Sequence, residues 1–441
     1  MLILFYLVLT ITFIIFATAK YKIHPFLTLI VASLAMGLAS GLETSAILKT
    51  LSEGFGNTLK SIGIVIACGS IIGTFLEKTG AAKSIADSLL KATGNERSPL
   101  AMNLTGFIVS IPVFCDSGYV ILSTLNNAIN KKTGISLAVL GTSLAAGLYA
   151  THVFVPPTPG PLAAASIIGA DVGLVLVFGF IVAIPVSLVG WFWATYYCSR
   201  FTINPQTYEE EVYINDEQSP NILMALLPII IPIILITLKS IIDHPSVDLE
   251  NVFFERFISF FGHPVVAILS GVFIATISAK NYSLEQQFNW TSSGLRAAGT
   301  IILITGAGGA FGNILRATSL SESISHELIG YEIGILLPFI IAAFLKTAQG
   351  SSTVSIITTA AMIAPLLEAL GLSGEMGKVL AVLSIGAGAM TVSHLNDSYF
   401  WVVSQFSNMD TNTALRCHTV TTLLQGISGV ILIQFISFLL L

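Results

Sequence analysis

The sequence predicts an all-α polytopic membrane protein of two inverted repeats, each with a re-entrant helical hairpin and a broken transmembrane helix. Three observations predict it: an apolar composition, two interrupted apolar segments too short to cross, and a weak internal repeat. The 441 residues are 54% hydrophobic and 10% charged, with a mean hydropathy of +0.86. Soluble domains carry about 25% charged residues, so much of this surface must face lipid. The net charge is −5 with no basic run, which gives no footprint for nucleic acid. Cys68, Cys115, Cys198 and Cys417 are scattered without CxxC spacing, which argues against a disulfide framework or a zinc site.

A crossing needs about 20 apolar residues. Candidate spans lie at 2–18, 24–42, 57–76, 172–197, 221–242, 264–279, 297–312 and 415–441. The first is expected to remain uncleaved: no basic residue precedes it and Lys20 and Lys22 follow it, the reverse of a signal peptide. The expected organisation is a first half over 1–197, a polar cytoplasmic loop at 198–220 and a second half over 221–441.

The first interrupted segment is 99–130, "PLAMNLTGFIVSIPVFCDSGYVILSTLNNAIN". Its two apolar arms meet at Pro112 and Cys115-Asp116-Ser117-Gly118. Lys91 and Arg97 precede it and Lys131 and Lys132 follow it, so both ends read as cytoplasmic. That is a hairpin with its tip in the membrane. The second, 331–370, has its tip at "KTAQGSSTVS" and acidic flanks, as a hairpin from the opposite face would. Such a pair is what inverted repeats produce. "CGSIIGTFLEKTGAAKSIADSLL" (68–90) parallels "TGAGGAFGNILRATSLSESISHEL" (305–328). "SLAAGLYATHVFVPPTPGP" (143–161) parallels "SIGAGAMTVSHLNDSYF" (384–400), placing His152 and His394 at matching points of broken helices 135–169 and 378–410. With both termini outside, twelve basic residues fall inside and six outside, with Lys346 left in the second hairpin; the bias agrees with positive-inside orientation.

Lipid satisfies no backbone polar group, so a break at membrane depth must face protein or a water-filled cavity. The prolines of 155–161 force one, and secondary transporters bind substrate at such breaks; the competing reading is a surface turn. Asp116, in an apolar hairpin, is the first candidate for proton coupling, because a carboxylate there is costly to insert. It reads equally as an N-cap of the second arm. Histidine ordinarily titrates near neutral pH, so His152 and His394 are candidate proton helpers, or packed core histidines. Ser117, Gly118, Thr151, Thr158, Gln349, Gly350, Ser351, Ser352, Thr353, Asn396 and Asp397 bring small polar groups to the breaks. They suit a hydroxylated anion held at helix N-termini; the competing reading of Gly/Ser/Thr clusters, strongest for 305–312, is close helix packing. Lys346 reads as a partner for a substrate carboxylate, a snorkelling side chain or half of an ion pair. The glycines of "GAGGAFG" lie in an apolar span, not a βαβ unit, so no dinucleotide site is expected. His394 with Asp397 supplies only two ligands, too few for a metal. No cofactor is expected.

At these residues the chain resembles the gluconate permease family, the gluconate:proton symporters of bacteria. "LTGFIVSIPVFCDSGYVILSTL" (104–125), "THVFVPPTPGPLAAASIIGADVG" (151–173) and "SHLNDSYFWVVSQF" (393–406) carry the likeness, which runs over essentially the whole chain. It implies a multi-pass protein of the bacterial inner membrane that imports sugar acids with protons. It also implies the ion-transporter superfamily fold, a homodimer and an elevator-like motion. Gluconate carriers of the family have Phe-Tyr-Glu-Val-Gly at the first tip, where this chain has Phe114-Cys115-Asp116-Ser117-Gly118. The shortened carboxylate points towards a smaller hydroxy acid such as glycerate, or D-serine. The expected partners are thus a small anionic hydroxy acid, protons, membrane lipid and a second copy of the chain. The rival readings are a sodium/proton or other cation antiporter, which needs more carboxylates at depth than Asp116 and Asp397, and an intramembrane enzyme, in which hairpins and repeat have no role. A channel fits hairpins from both faces less well than alternating access does.

Overall fold

The computed structural model describes residues 2–204, 220–242, 252–318, 334–395 and 397–441. Most of the expected polar loop, the start of the second hairpin and the end of the 305–328 repeat lie outside the described residues. All regular structure among the described residues is helical. Among the described residues, five helices are long and apolar enough to cross a membrane, or up to seven if two bent pairs each form one span.

The first half holds α1 (Leu2–Ile15), α2 (Pro25–Ala39), α3 (Thr44–Lys78), α4 (Ala81–Thr93), α5 (Ser98–Val109), α6 (Cys115–Thr133), α7 (Leu137–Phe154), α8 (Pro159–Ile168) and α9 (Val172–Tyr196). After α10 (Ile222–Ile242), α11 (Val252–Phe261) and α12 (Pro264–Ser278), the order recurs. A long helix, α13 (Leu284–Ala317), precedes a helix–turn–helix, α14 (Leu336–Gln349) and α15 (Ser352–Ile363). A broken helix follows, α16 (Glu375–Met390) and α17 (Ser398–Phe406), then α18 (Thr411–Ala414) and α19 (Val420–Leu440).

Helices α3 and α13 run to 35 and 34 residues, well beyond the apolar windows at 57–76 and 297–312. Their polar first halves hide them from a hydropathy reading, yet contain no proline to stop the helix. A capping box between Ser283 and Gln286 starts α13, satisfying two free N–H groups reciprocally. The two helices pack against each other antiparallel: a Cβ on Gly294 would sit 2.8 Å from Ile71, and one on Gly54 2.6 Å from Asn313. Antiparallel counterparts are what an inverted repeat requires. The glycines of 305–312 are the contact itself, since a Cβ on Gly309 would lie 1.9 Å from Thr58 Oγ1. Small residues permit this approach where apolar burial gives little drive between helices in lipid.

Around the broken helix α7–α8, whose first part α7 is buried at every residue, polar side chains tie neighbours together. Asn103 donates to the Ser143 carbonyl at 3.0 Å and accepts from Ser187 Oγ at 2.8 Å, joining α5, α7 and α9. Gln425 of α19 donates to the Ala146 and Val186 carbonyls at 3.0 and 3.2 Å. A Cβ on Gly147 would approach the Asn103 carbonyl oxygen to 1.9 Å. Gly147→Val is therefore expected to force α5 and α7 apart and destabilise the fold by about 1–3 kcal/mol. The check is the thermal midpoint of the purified protein in detergent; an unchanged midpoint would contradict this packing.

Candidate functional site

Three helix N-termini meet at one place. The tip of the first hairpin delivers Phe114, Cys115 and Asp116 at the start of α6; the second delivers Ser351, Ser352 and Thr353 at the start of α15. The second break delivers Asp397, Ser398 and Tyr399 at the start of α17. Together with Tyr149 and His152 of α7 and Ile301 and Ile304 of α13 they enclose a cavity of about 190 Å³. At the second tip and the second break the chain carries its own stop or cap. Gly350 takes φ +80°, a left-handed conformation that glycine adopts without strain. Ser351 Oγ then accepts from Val354 N at 3.3 Å, and Asp397 Oδ1 from Tyr399 N at 3.0 Å. Helix N-termini concentrate partial positive charge, so the cavity favours an anion.

The strongest feature is an ion pair between Lys346 and Asp397, both almost fully buried. Lys346 Nζ also donates to the Gly350 carbonyl at 2.9 Å and lies 5.9 Å from the centre of the Tyr149 ring. Ser393 Oγ donates to Asp397 Oδ2, so it is free to accept from His418 Nε2 at 3.1 Å. This fixes the His418 proton on Nε2. Thr422 and Thr419 hold the Ser393 backbone at 2.9 and 2.5 Å. Asp397 is thus partnered on both oxygens. Asp116 is not: among the described residues its Oδ1 has no hydrogen-bond partner, and neither has His152 Nδ1. A buried polar atom left unpaired is uncommon and asks for a ligand, an ion or a water.

The cavity brings together Asp116, His152, Ser351, Ser352, Thr353 and Asp397 from the candidates named above. Gly350 joins through its carbonyl. Others lie apart. Ser117 opens on a neighbouring cavity, and Gly118 packs against Leu148. Thr151 Oγ1 donates to the Phe107 carbonyl at 2.8 Å. Thr158 Oγ1 turns to the Val155 carbonyl at 2.5 Å. His394 is half-buried beside the Thr347 carbonyl at 3.2 Å and off the cavity. Asn396 and the Gln349 side chain lie outside the described residues. Residues that sequence reasoning missed are Tyr149, Tyr399, Ser393 and His418. His418 carried a usable signal, an ionisable side chain within an expected apolar span. Two tyrosines in helical segments read only as core.

Hairpin tips and broken helices that carry ionisable groups to one enclosed cavity define a membrane transporter. The chain matches the GntP family permease model over residues 1–439 and belongs to that family. It is 32% identical over 429 residues to a gluconate permease of Pseudomonas aeruginosa PAO1, covering 96% of this chain and 94% of that one. It is 31% identical over 440 residues to the D-serine transporter DsdX of Escherichia coli O6:H1 CFT073, covering 98% of each. The fold also matches the crystal structure of the Alcanivorax borkumensis YdaH transporter, described as having an unusual topology. That match has a TM-score of 0.64 and 15% identity over 94% of this chain and 98% of that one. Family and apolar helices make this a multi-pass inner-membrane transporter of the sugar-acid type.

Breaking a buried pair by removing one partner costs about 3–5 kcal/mol, because a bare charge stays behind. Lys346→Met alone is therefore expected to destabilise the protein more than Lys346→Met combined with Asp397→Asn. Thermal midpoints of the two variants check this, and equal midpoints would show that the pair carries no net electrostatic weight.

Proposed function

We propose that this protein is a secondary active symporter that imports a small hydroxy monocarboxylate together with protons. The carrying observation is the charge arrangement around the cavity: one carboxylate paired to a lysine, and a second, Asp116, with an unpartnered oxygen. With all three groups ionised the site sums to −1, which repels an anion. Proton uptake by Asp116 brings the sum to zero. The substrate carboxylate then shares the Lys346 ammonium with Asp397 and lies against the N-termini of α15 and α17. Proton and anion thereby each favour the other's binding, and that coupling is reciprocal. Hydroxyls of Tyr149, Ser351, Ser352 and Thr353 suit the hydroxyl groups of a short sugar acid. His152 stacks on Tyr149 at 6.3 Å between ring centres and offers a second proton acceptor. The relatives named for gluconate and D-serine support the substrate class. A homodimer with an elevator-like movement of the cavity completes the reading.

The free Asp116 oxygen also favours a second reading, in which a zwitterion such as D-serine places its ammonium on Asp116 and its carboxylate near Lys346. The test is uptake of labelled gluconate, glycerate and D-serine into right-side-out vesicles, with and without a protonophore. Accumulation of a hydroxy acid that the protonophore abolishes is expected. Asp116→Asn, which makes the site neutral permanently, should lose accumulation while still exchanging internal for external substrate. Full accumulation by Asp116→Asn would refute the coupling role, and transport of D-serine alone would favour the second reading.

A further inference from the structure

A second polar cavity, of about 250 Å³, lies next to the first. Its walls are one face of α3 (Ser70, Gly73, Thr74 and Glu77) and one face of α13 (Ser293 and Ala297). Phe114 lines both cavities. Along α13, Ser293 and Ala297 border the second cavity, while Ile301 and Ile304 border the first. These positions fall on one stripe of the helix. The stripe runs from polar and small to branched and apolar as it reaches the binding cavity. Ser117 faces the second cavity and Asp116 the first, so the hairpin tip stands between them.

We infer that the second cavity is the passage between the binding cavity and the cytoplasm, and that Phe114 is the gate between the two. This rests on the first cavity being the substrate site. The passage ends beside Glu77 and Lys78, an exposed pair 3.1 Å apart. Here the C-terminus of α3 meets the start of α13, as the 5.5 Å contact between Phe75 and Trp290 shows. Lys78 ends α3 and Lys83 lies in the first turn of α4, while Lys280 precedes α13 and Arg296 lies within it. This basic end faces the cytoplasm by the positive-inside bias. The gate position is economical in backbone terms. Phe114 is the N-cap of α6, in an extended conformation with φ −62° and ψ 139° and no side-chain cap. Its ring therefore moves with the tip, without breaking a capping bond. A polar passage closed by one aromatic ring also excludes water from Asp116 when the ring is in place, which strengthens the electrostatics of the site.

Thiol chemistry separates this inference from the substrate assignment, because labelling is read without transport. All four native cysteines are buried, and Cys115 lines the binding cavity behind Phe114. Ala297→Cys places a thiol in the passage, at an exposed position. It is expected to react with a membrane-impermeant maleimide in inside-out vesicles and to stay unreactive in right-side-out ones. Phe114→Ala should speed modification of native Cys115 by a charged methanethiosulfonate several-fold from the same side, with Phe114→Tyr restoring the slow rate. Labelling of Ala297→Cys from the outside only would overturn the sidedness. A Cys115 rate that Phe114→Ala leaves unchanged, in protein that elutes as a single folded species, would overturn the gate. Both labelling results hold whichever substrate the vesicles take up.

Discussion

Hydrocarbon offers no hydrogen bonds and almost no solvation for charge. Every stopped helix and every ionised side chain in this chain must therefore be answered inside the protein. The first hairpin tip, the second hairpin tip and the break before Ser398 each leave helix N–H groups without intrahelical partners. Turning all three towards one cavity meets the demand in common. The same arrangement yields a concave, positively polarised space surrounded by packed helices. The glycine contacts with α3 hold α13, whose Ile301 and Ile304 line that space.

Within that space the Lys346–Asp397 pair sets the electrostatic terms. Asp397 is tied to the start of α17, to Ser393 and, through Ser393, to His418 at the base of α19. Lys346 is tied to the Gly350 carbonyl at the second hairpin tip. A displacement of that hairpin relative to the broken helix must strain or part the pair. A substrate carboxylate able to replace part of what Lys346 loses would lower the cost of that displacement. Asp116 faces them from the other hairpin with one unpartnered oxygen, so its protonation state decides whether an anion is admitted.

Local chemistry makes much of this legible in the sequence. Pro156, Pro157 and Pro159 announce the first break, Gly350 with Ser351 and Ser352 the second tip, and an aspartate between two apolar arms the first. Such signals act within a few residues and need no knowledge of the fold. What stays hidden depends on long-range pairing. Lys346 and Asp397 stand 51 positions apart, and only the packing of the second hairpin against the break selects the ion pair from the three roles open to the lysine. Repeat symmetry points to His394 as the mate of His152. In the fold, however, the buried histidine on the Asp397 network is His418, brought in from a later helix. The full lengths of α3 and α13 are hidden for a different reason. Their polar halves lack a hydropathy signal, and helix–helix packing through small residues holds them.

The central claim is that the anion enters only when Asp116 carries a proton. Its most direct test is proton exchange on binding, followed with a pH-sensitive dye in weakly buffered solutions of purified protein near neutral pH. Adding the transported acid to the native protein should draw protons from solution in proportion to the substrate bound, and Asp116→Asn should bind with no proton uptake. Binding by the native protein without any proton uptake, or unchanged uptake by Asp116→Asn, would show that the coupled proton sits elsewhere.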